Sequence, residues 1–163
     1  MSHNLTFATQ IKDRELLAAA CDRLRQRPGC SEVVGPRYKE NVPTRKGGNM
    51  SGYAVRLPDW NKDAMFACDE TGEMEADNYS PYFDNRDVDN AGNRIPGTGD
   101  VHPLVLSGDK RVGEEGRWGD ISYLEMLEDE YIAAAYEDVA QSMGHQMTSE
   151  VDADGALLLE IEI

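Results

Sequence analysis

Residues 121–163 read ISYLEMLEDEYIAAAYEDVAQSMGHQMTSEVDADGALLLEIEI, and the fold class follows from them. Ile121, Leu124, Leu127, Tyr131, Ala135, Val139 and Met143 recur at helical spacing on one face, which predicts a long amphipathic helix capped by Asp120 or Ser122 and ended by Gly144. Glu125, Glu128, Asp129, Glu137 and Asp138 fill the remaining surface, an acid-rich face expected to meet water. Beyond the glycine, residues 146–151 and 156–163 form two runs joined by Asp152-Ala153-Asp154-Gly155, a turn composition. In the second run Leu157, Leu159, Ile161 and Ile163 alternate with Glu160 and Glu162, the period of a strand with one wet face.

Toward the N-terminus, Leu5, Phe7 and Thr9 alternate with Thr6, Ala8 and Gln10, predicting a strand that ends at Ile11. Asp13 is placed to cap a helix whose apolar face is Leu16, Leu17, Ala20, Cys21 and Leu24, and Pro28-Gly29 stops it. Val33-Val34 opens a second strand that Gly35-Pro36 interrupts, and residues 44–52 read as a polar, Gly-rich loop. Tyr53, Val55 and Leu57 turn through Pro58-Asp59-Trp60-Asn61 into residues 64–68, and Glu73-Met74-Glu75-Ala76 continues the meander after a second turn. The order strand, helix, meander, helix, hairpin predicts an α+β fold, a mostly antiparallel sheet covered on one face by two helices, with a ferredoxin-like split compatible. The whole of 1–163 is read as a single domain carrying an inserted loop at about 79–117, pinned by one apolar cluster at 101–106.

The chain of 163 residues, 40% hydrophobic and 29% charged, suits one soluble globular domain with a two-layer core. Its net charge is −15, from 31 acidic side chains against 16 basic ones, a field that repels phosphate backbones and argues against sequence-independent nucleic-acid binding. Arg23, Arg25 and Arg27 are interleaved with Asp13, Glu15 and Asp22 as a mixed helix surface, while Arg37, Lys39, Arg45 and Lys46 form a short Gly-flanked run. No run approaches the ~20 apolar residues of a membrane span, and no basic region followed by an apolar run opens the chain, so a soluble cytoplasmic protein is expected. Cys21, Cys30 and Cys68 show no C-x-x-C pairing, which predicts reduced thiols, with Cys21 buried on the first helix.

Met1-Ser2-His3 with Ile11 and Asp13-Arg14-Glu15, Ala76-Asp77, Trp118-Gly119, and the closing Gly144, Glu150 and Asp154-Gly155 occur in a familiar order. In that order the chain resembles the uncharacterised family typified by a hypothetical chloroplast reading frame of algal plastids and cyanobacteria, a domain of unknown function that other bacteria also carry. The resemblance covers roughly the first thirty residues, the last forty-five and the meander between. It implies no catalytic residue, and an accessory role beside a ring-forming ATPase. This chain departs from the family by the residues inserted near 79–117 and by keeping only part of a Gly-rich basic stretch, at Gly35-Pro36-Arg37-Tyr38.

A nucleophile elbow, a phosphate-cradling loop and a dinucleotide fingerprint are all missing from the sequence, so no catalytic residue, metal or cofactor is expected. Asp84, Asp87, Asp89 and Asn90 before Gly92 are reminiscent of a calcium loop, but counting forward from Asp87 reaches Thr98 where a closing acid is needed. Their composition is that of a solvated turn cluster. His3, His102 and His145 lack metal-ligand spacing, and His145 stands where it meets the negative end of the long helix. Three readings of function remain. The leading one is a non-catalytic acidic accessory protein that binds a larger protein partner through Glu125, Glu128, Asp129, Asp84, Asp87 and Asp89. The second is an enzyme or small-ligand protein with a pocket beside the inserted segment, lined by Tyr79, Tyr82, Phe83, His102 and Trp118. The third is an acidic mimic of nucleic acid, which needs the same carboxylates in one row.

Overall fold

The computed structural model describes residues 11–43, 49–60, 63–74, 82–84, 101–103, 106–107, 111–112 and 119–162. Helix α1 spans Arg14–Arg25 and begins as the sequence predicts, with the Asp13 carboxylate accepting from the backbone N–H of Glu15 at 2.9 Å and of Leu16 at 3.1 Å. Leu17, Ala20, Cys21 and Leu24 form its buried face, and Gly29 takes a positive φ just past its end. The strand expected before it lies outside the described residues except for its last member, the buried Ile11.

Strands β1 (Val34–Pro43), β2 (Asn49–Arg56), β3 (Asp63–Cys68), β4 (Tyr82–Asp84) and β5 (Val101–Pro103) form an antiparallel sheet in sequential order. Among the described strands this is a meander, not the split order of a ferredoxin-like sheet. The pairings Tyr53↔Phe66 and Val55↔Ala64 fix which side chains share a face. Tyr53, Val55, Ala64, Phe66 and Cys68 meet Leu17, Leu24, Leu124 and Leu127 in one core, so the two helices cover one face of the sheet. Gly35-Pro36 does not end β1. The strand runs through it with a register shift between Val34 and Arg37, because a bulge absorbs the proline's missing donor at an edge. Of the loop expected at 44–52, residues 49–52 belong to β2 and the rest lies outside the described residues; of the strand expected at 73–76, Met74 pairs with Cys68 in a bridge and residues 75–76 lie outside the described residues.

The stretch expected as an inserted loop contributes strands wherever it is described. β4 and β5 extend the main sheet through Ala64↔Phe83↔His102, which satisfies the outer edge of β3. β6 (Leu106–Ser107), β7 (Arg111–Val112) and β8 (Gly119–Asp120) make a second antiparallel sheet leading directly into α2, Ser122–Ser142. The Trp60 indole N–H donates to the Asp120 carbonyl at 2.9 Å and so ties the β2–β3 turn to the start of α2. The ring lies so close that a Cβ on Gly119 would come within 2.7 Å of it.

The N-cap position of α2 is Ile121, not Asp120 or Ser122, and it has no side-chain cap; the Asp120 carboxylate accepts from Ser122 N–H at 2.9 Å, and the helix ends in a glycine turn at Gly144, with His145 N–H bonded to the Ala140 carbonyl. Its buried side departs from the predicted stripe. Ile121, Leu124, Leu127 and Tyr131 face the core, but Val139 and Met143 are 55% and 64% exposed and the inner side of the second half is Ala133, Ala134 and Ala140. Helix α2 also contacts the hairpin of β9 (Gln146–Val151) and β10 (Leu157–Glu162). The pairings Met147↔Ile161, Ser149↔Leu159 and Val151↔Leu157 gather the apolar side chains on one face and Glu150, Glu160 and Glu162 on the other, as the alternation predicts. No helix among the described residues is long and apolar enough to cross a membrane.

Candidate functional site

The carboxylates of α2 divide between two environments. On the side that meets α1, Glu130 is 3% exposed and accepts from Arg23 Nε at 2.9 Å and Arg27 Nε at 2.6 Å. Arg23 also donates to Glu137 at 2.9 Å and to the Ser149 hydroxyl at 2.8 Å, so one guanidinium joins α1, α2 and β9. The mixed helix surface expected from Arg23, Arg25 and Arg27 is therefore corrected: Arg23 and Arg27 serve an interior ion cluster, and Arg25 alone pairs outward, with Asp22. Tyr131 completes this side, its hydroxyl accepting from the backbone N–H of Lys12 and Asp13, while burial holds its proton on above the ordinary tyrosine range.

On the opposite flank stand Glu125, Glu128 and Asp129. Glu128 was expected to be solvated, but only 6% of it is exposed, and among the described residues no hydrogen bond or ion pair to it occurs. Burial pushes its carboxyl up to about 8, with Asp129 and then Glu125 adding like-charge repulsion. Asp129 is also raised, chiefly by burial; nearby Arg27 opposes the shift, and Glu130 and Glu125 add to it. The helix continues outward from these acids into Tyr136, Val139 and Met143, each more than half exposed. Positions 136, 139 and 143 follow i, i+3, i+7 spacing, so one face of the helix is acidic and largely buried in its first part and apolar and exposed in its second.

A second charged centre lies on the sheet face away from the helices. Asp63 is 4% exposed and accepts from Lys39 at 3.0 Å and Arg37 at 3.2 Å, while Arg56 Nε stands 2.8 Å from its other oxygen, close but misaligned for a hydrogen bond. The register pairs Asp84 with Asp63, and Asp87 and Asp89 lie outside the described residues. Phe83 and His102 occupy facing register positions, Tyr82 is the next strand position, and Tyr79 and Trp118 lie outside the described residues. An open groove of about 430 Å³ between α1 and α2 is also acid-lined, by Asp13, Glu15, Asp22, Glu137 and Asp138 around Arg23.

No cluster of metal-ligating side chains occurs among the described residues, and Cys21, Cys30 and Cys68 are buried thiols, the first pushed up to about 12 by burial. Sequence reasoning missed Glu130 and Asp63. A signal existed for Glu130, which follows Leu127 by three residues and precedes Ala134 by four, both inward-facing, and answers Arg23 in the last turn of α1 and Arg27 just beyond its end. Asp63 gave no comparable signal, since its cations come from two other strands. No protein-family model, no curated protein and no solved structure matches the chain.

Proposed function

We propose that this is a non-catalytic interaction protein that binds a larger protein partner presenting basic side chains to Glu125, Glu128 and Asp129. The observation that carries the reading is Glu128, a nearly buried carboxyl with two acidic neighbours and no counter-ion among the described residues. Such an arrangement raises the free energy of the isolated protein, and an approaching ammonium or guanidinium lowers it. The net charge of −15 steers a basic partner toward any part of the surface and makes its on-rate sensitive to salt. The family resemblance adds a ring-forming ATPase as the partner and the cytoplasm as the location, where buried thiols stay reduced.

The test is affinity capture at low and at raised ionic strength, with the wild-type chain beside a Glu125→Gln, Glu128→Gln, Asp129→Asn variant. A defined partner is expected with the wild type, depleted by added salt and by the triple substitution. Recovery of the same proteins in both lanes, or a measured turnover of a small molecule, would overturn the reading.

A further inference from the structure

We propose that the outer ridge of α2 is a docking surface for one amphipathic helix of a partner, with apolar residues laid along Tyr136, Val139 and Met143 and a lysine or arginine reaching the Glu125–Glu128–Asp129 end. This rests on the interaction reading above and specifies the shape and chemistry of what binds there.

The ridge is a single helical stripe. Three large side chains at i, i+3, i+7 on an exposed helix face present the row into which a second helix sets its own side chains. The same face of α2 buries nothing of the core in its second half, where the inner side is alanine. At a rise of ~1.5 Å per residue, the middle of the apolar part lies about 20 Å from the middle of the acidic part, a span that ~13 helical residues cover. A bound helix therefore needs its cation three to four turns from its apolar anchors.

Charge decides against a second copy as the occupant. Each copy brings a net −15, and the stripe itself carries acids and no lysine or arginine. A basic helix gains where a second copy loses. Glu128 supplies the specific contact: a carboxyl that is nearly buried without a partner gives up more on pairing than the exposed acids of the α1–α2 groove do. The partner's cation need only meet its edge beside the partly buried Glu125 and Asp129.

The experiment titrates the isotope-labelled full chain with a synthetic helical peptide of about twenty residues, with leucines at i, i+4, i+7 near one end and two lysines on the same face near the other, and follows the backbone amide resonances. Saturable binding is expected, with shifts concentrated at residues 125–143. Affinity should fall about tenfold or more for Val139→Glu with Met143→Ser, for Glu128→Gln, and for a peptide whose lysines are moved beside its leucines. Amide spectra of each variant without peptide report whether it is folded, and Tyr136→Ser replaces any that is not. Equal affinity for the shifted-lysine peptide, or shifts centred on the α1–α2 groove, would overturn the proposal. So would a dimer in sedimentation that Val139→Glu dissociates, which makes a second copy the occupant, or tighter peptide binding once residues 1–10 are removed, which makes that segment the occupant. A captured partner that is lost with the carboxylate variant but retained by Val139→Glu leaves the interaction reading standing and removes only the helix.

Discussion

Tyr131 and Glu128 sit three residues apart on α2 and show how far a side chain's consequence depends on whether its polar atoms are answered. The Tyr131 hydroxyl accepts from two backbone N–H groups at the entry to α1, and Tyr131→Phe leaves both without that acceptor. We expect a loss of about 1–2 kcal/mol in chemical denaturation with no change in fold. For Glu128 the sign reverses. Its folded pKa, near 8, lies above the ordinary carboxyl value, so the native state holds a proton that the unfolded chain has released. Stability is therefore fully present below the ordinary value, declines as pH rises toward 8, and stays at its reduced level beyond. Glu128→Gln, which imitates the protonated carboxyl, should match the wild type near pH 5 and exceed it at pH 8.5 by on the order of 2–4 kcal/mol. Equal midpoints at the higher pH would show Glu128 to be solvated. The sequence placed Tyr131 on the buried stripe without showing what its hydroxyl meets, and it placed Glu128 on the solvated face. Burial of Glu128 depends on what lies over its flank of α2, which helical periodicity does not encode.

At the scale of elements, the helices are joined by more than their apolar faces. Glu130 with Arg23 and Arg27 forms a buried cluster, and removing the carboxylate strands Arg27, 8% exposed, and leaves Arg23 with Glu137 as its anion. Glu130→Ala should cost about 3–5 kcal/mol, whereas Asp22→Ala, which loosens only an exposed pair on α1, should cost under about 1 kcal/mol. Comparable losses from the two would deny the cluster its interior character. Elements that depend on neighbours in sequence were readable: the Asp13 cap, the Gly144 stop, the β2–β3 hairpin and the inward–outward alternation of β10 all follow from spacing and turn chemistry. Elements that depend on distant neighbours were not. β1 continues through Gly35-Pro36 because β2 holds it on either side, and the second half of α2 turns Val139 and Met143 outward while its buried side is alanine.

For the molecule as a whole, the sequential sheet order bears on what residues 79–117 contribute. Asp84 and Val101 face each other in register, so the chain between them can be closed by a short turn without moving β4 or β5. Replacing residues 85–100 with a four-residue, Gly-containing turn should leave a cooperative fold, and loop-closure entropy returns about 0.6 kcal/mol for each halving of length. Because Asp87 and Asp89 leave with the loop, partner capture by this variant also reports whether the α2 acids suffice. Loss of cooperative unfolding would show that 85–100 belongs to the core. The α+β architecture was visible from the chain's two ends inward, but the sheet's width was not, since β4 and β5 are only three residues each and carry too little periodicity to be recognised. The uncompensated carboxyl on α2 also makes the folded protein a proton store near neutrality. A basic partner that pairs with Glu128 must displace that proton into solution. Calorimetric heats of association measured at pH 7 should therefore differ between buffers of high and low ionisation enthalpy, and the difference should vanish in Glu128→Gln. Acidification would then oppose assembly even though it strengthens the fold.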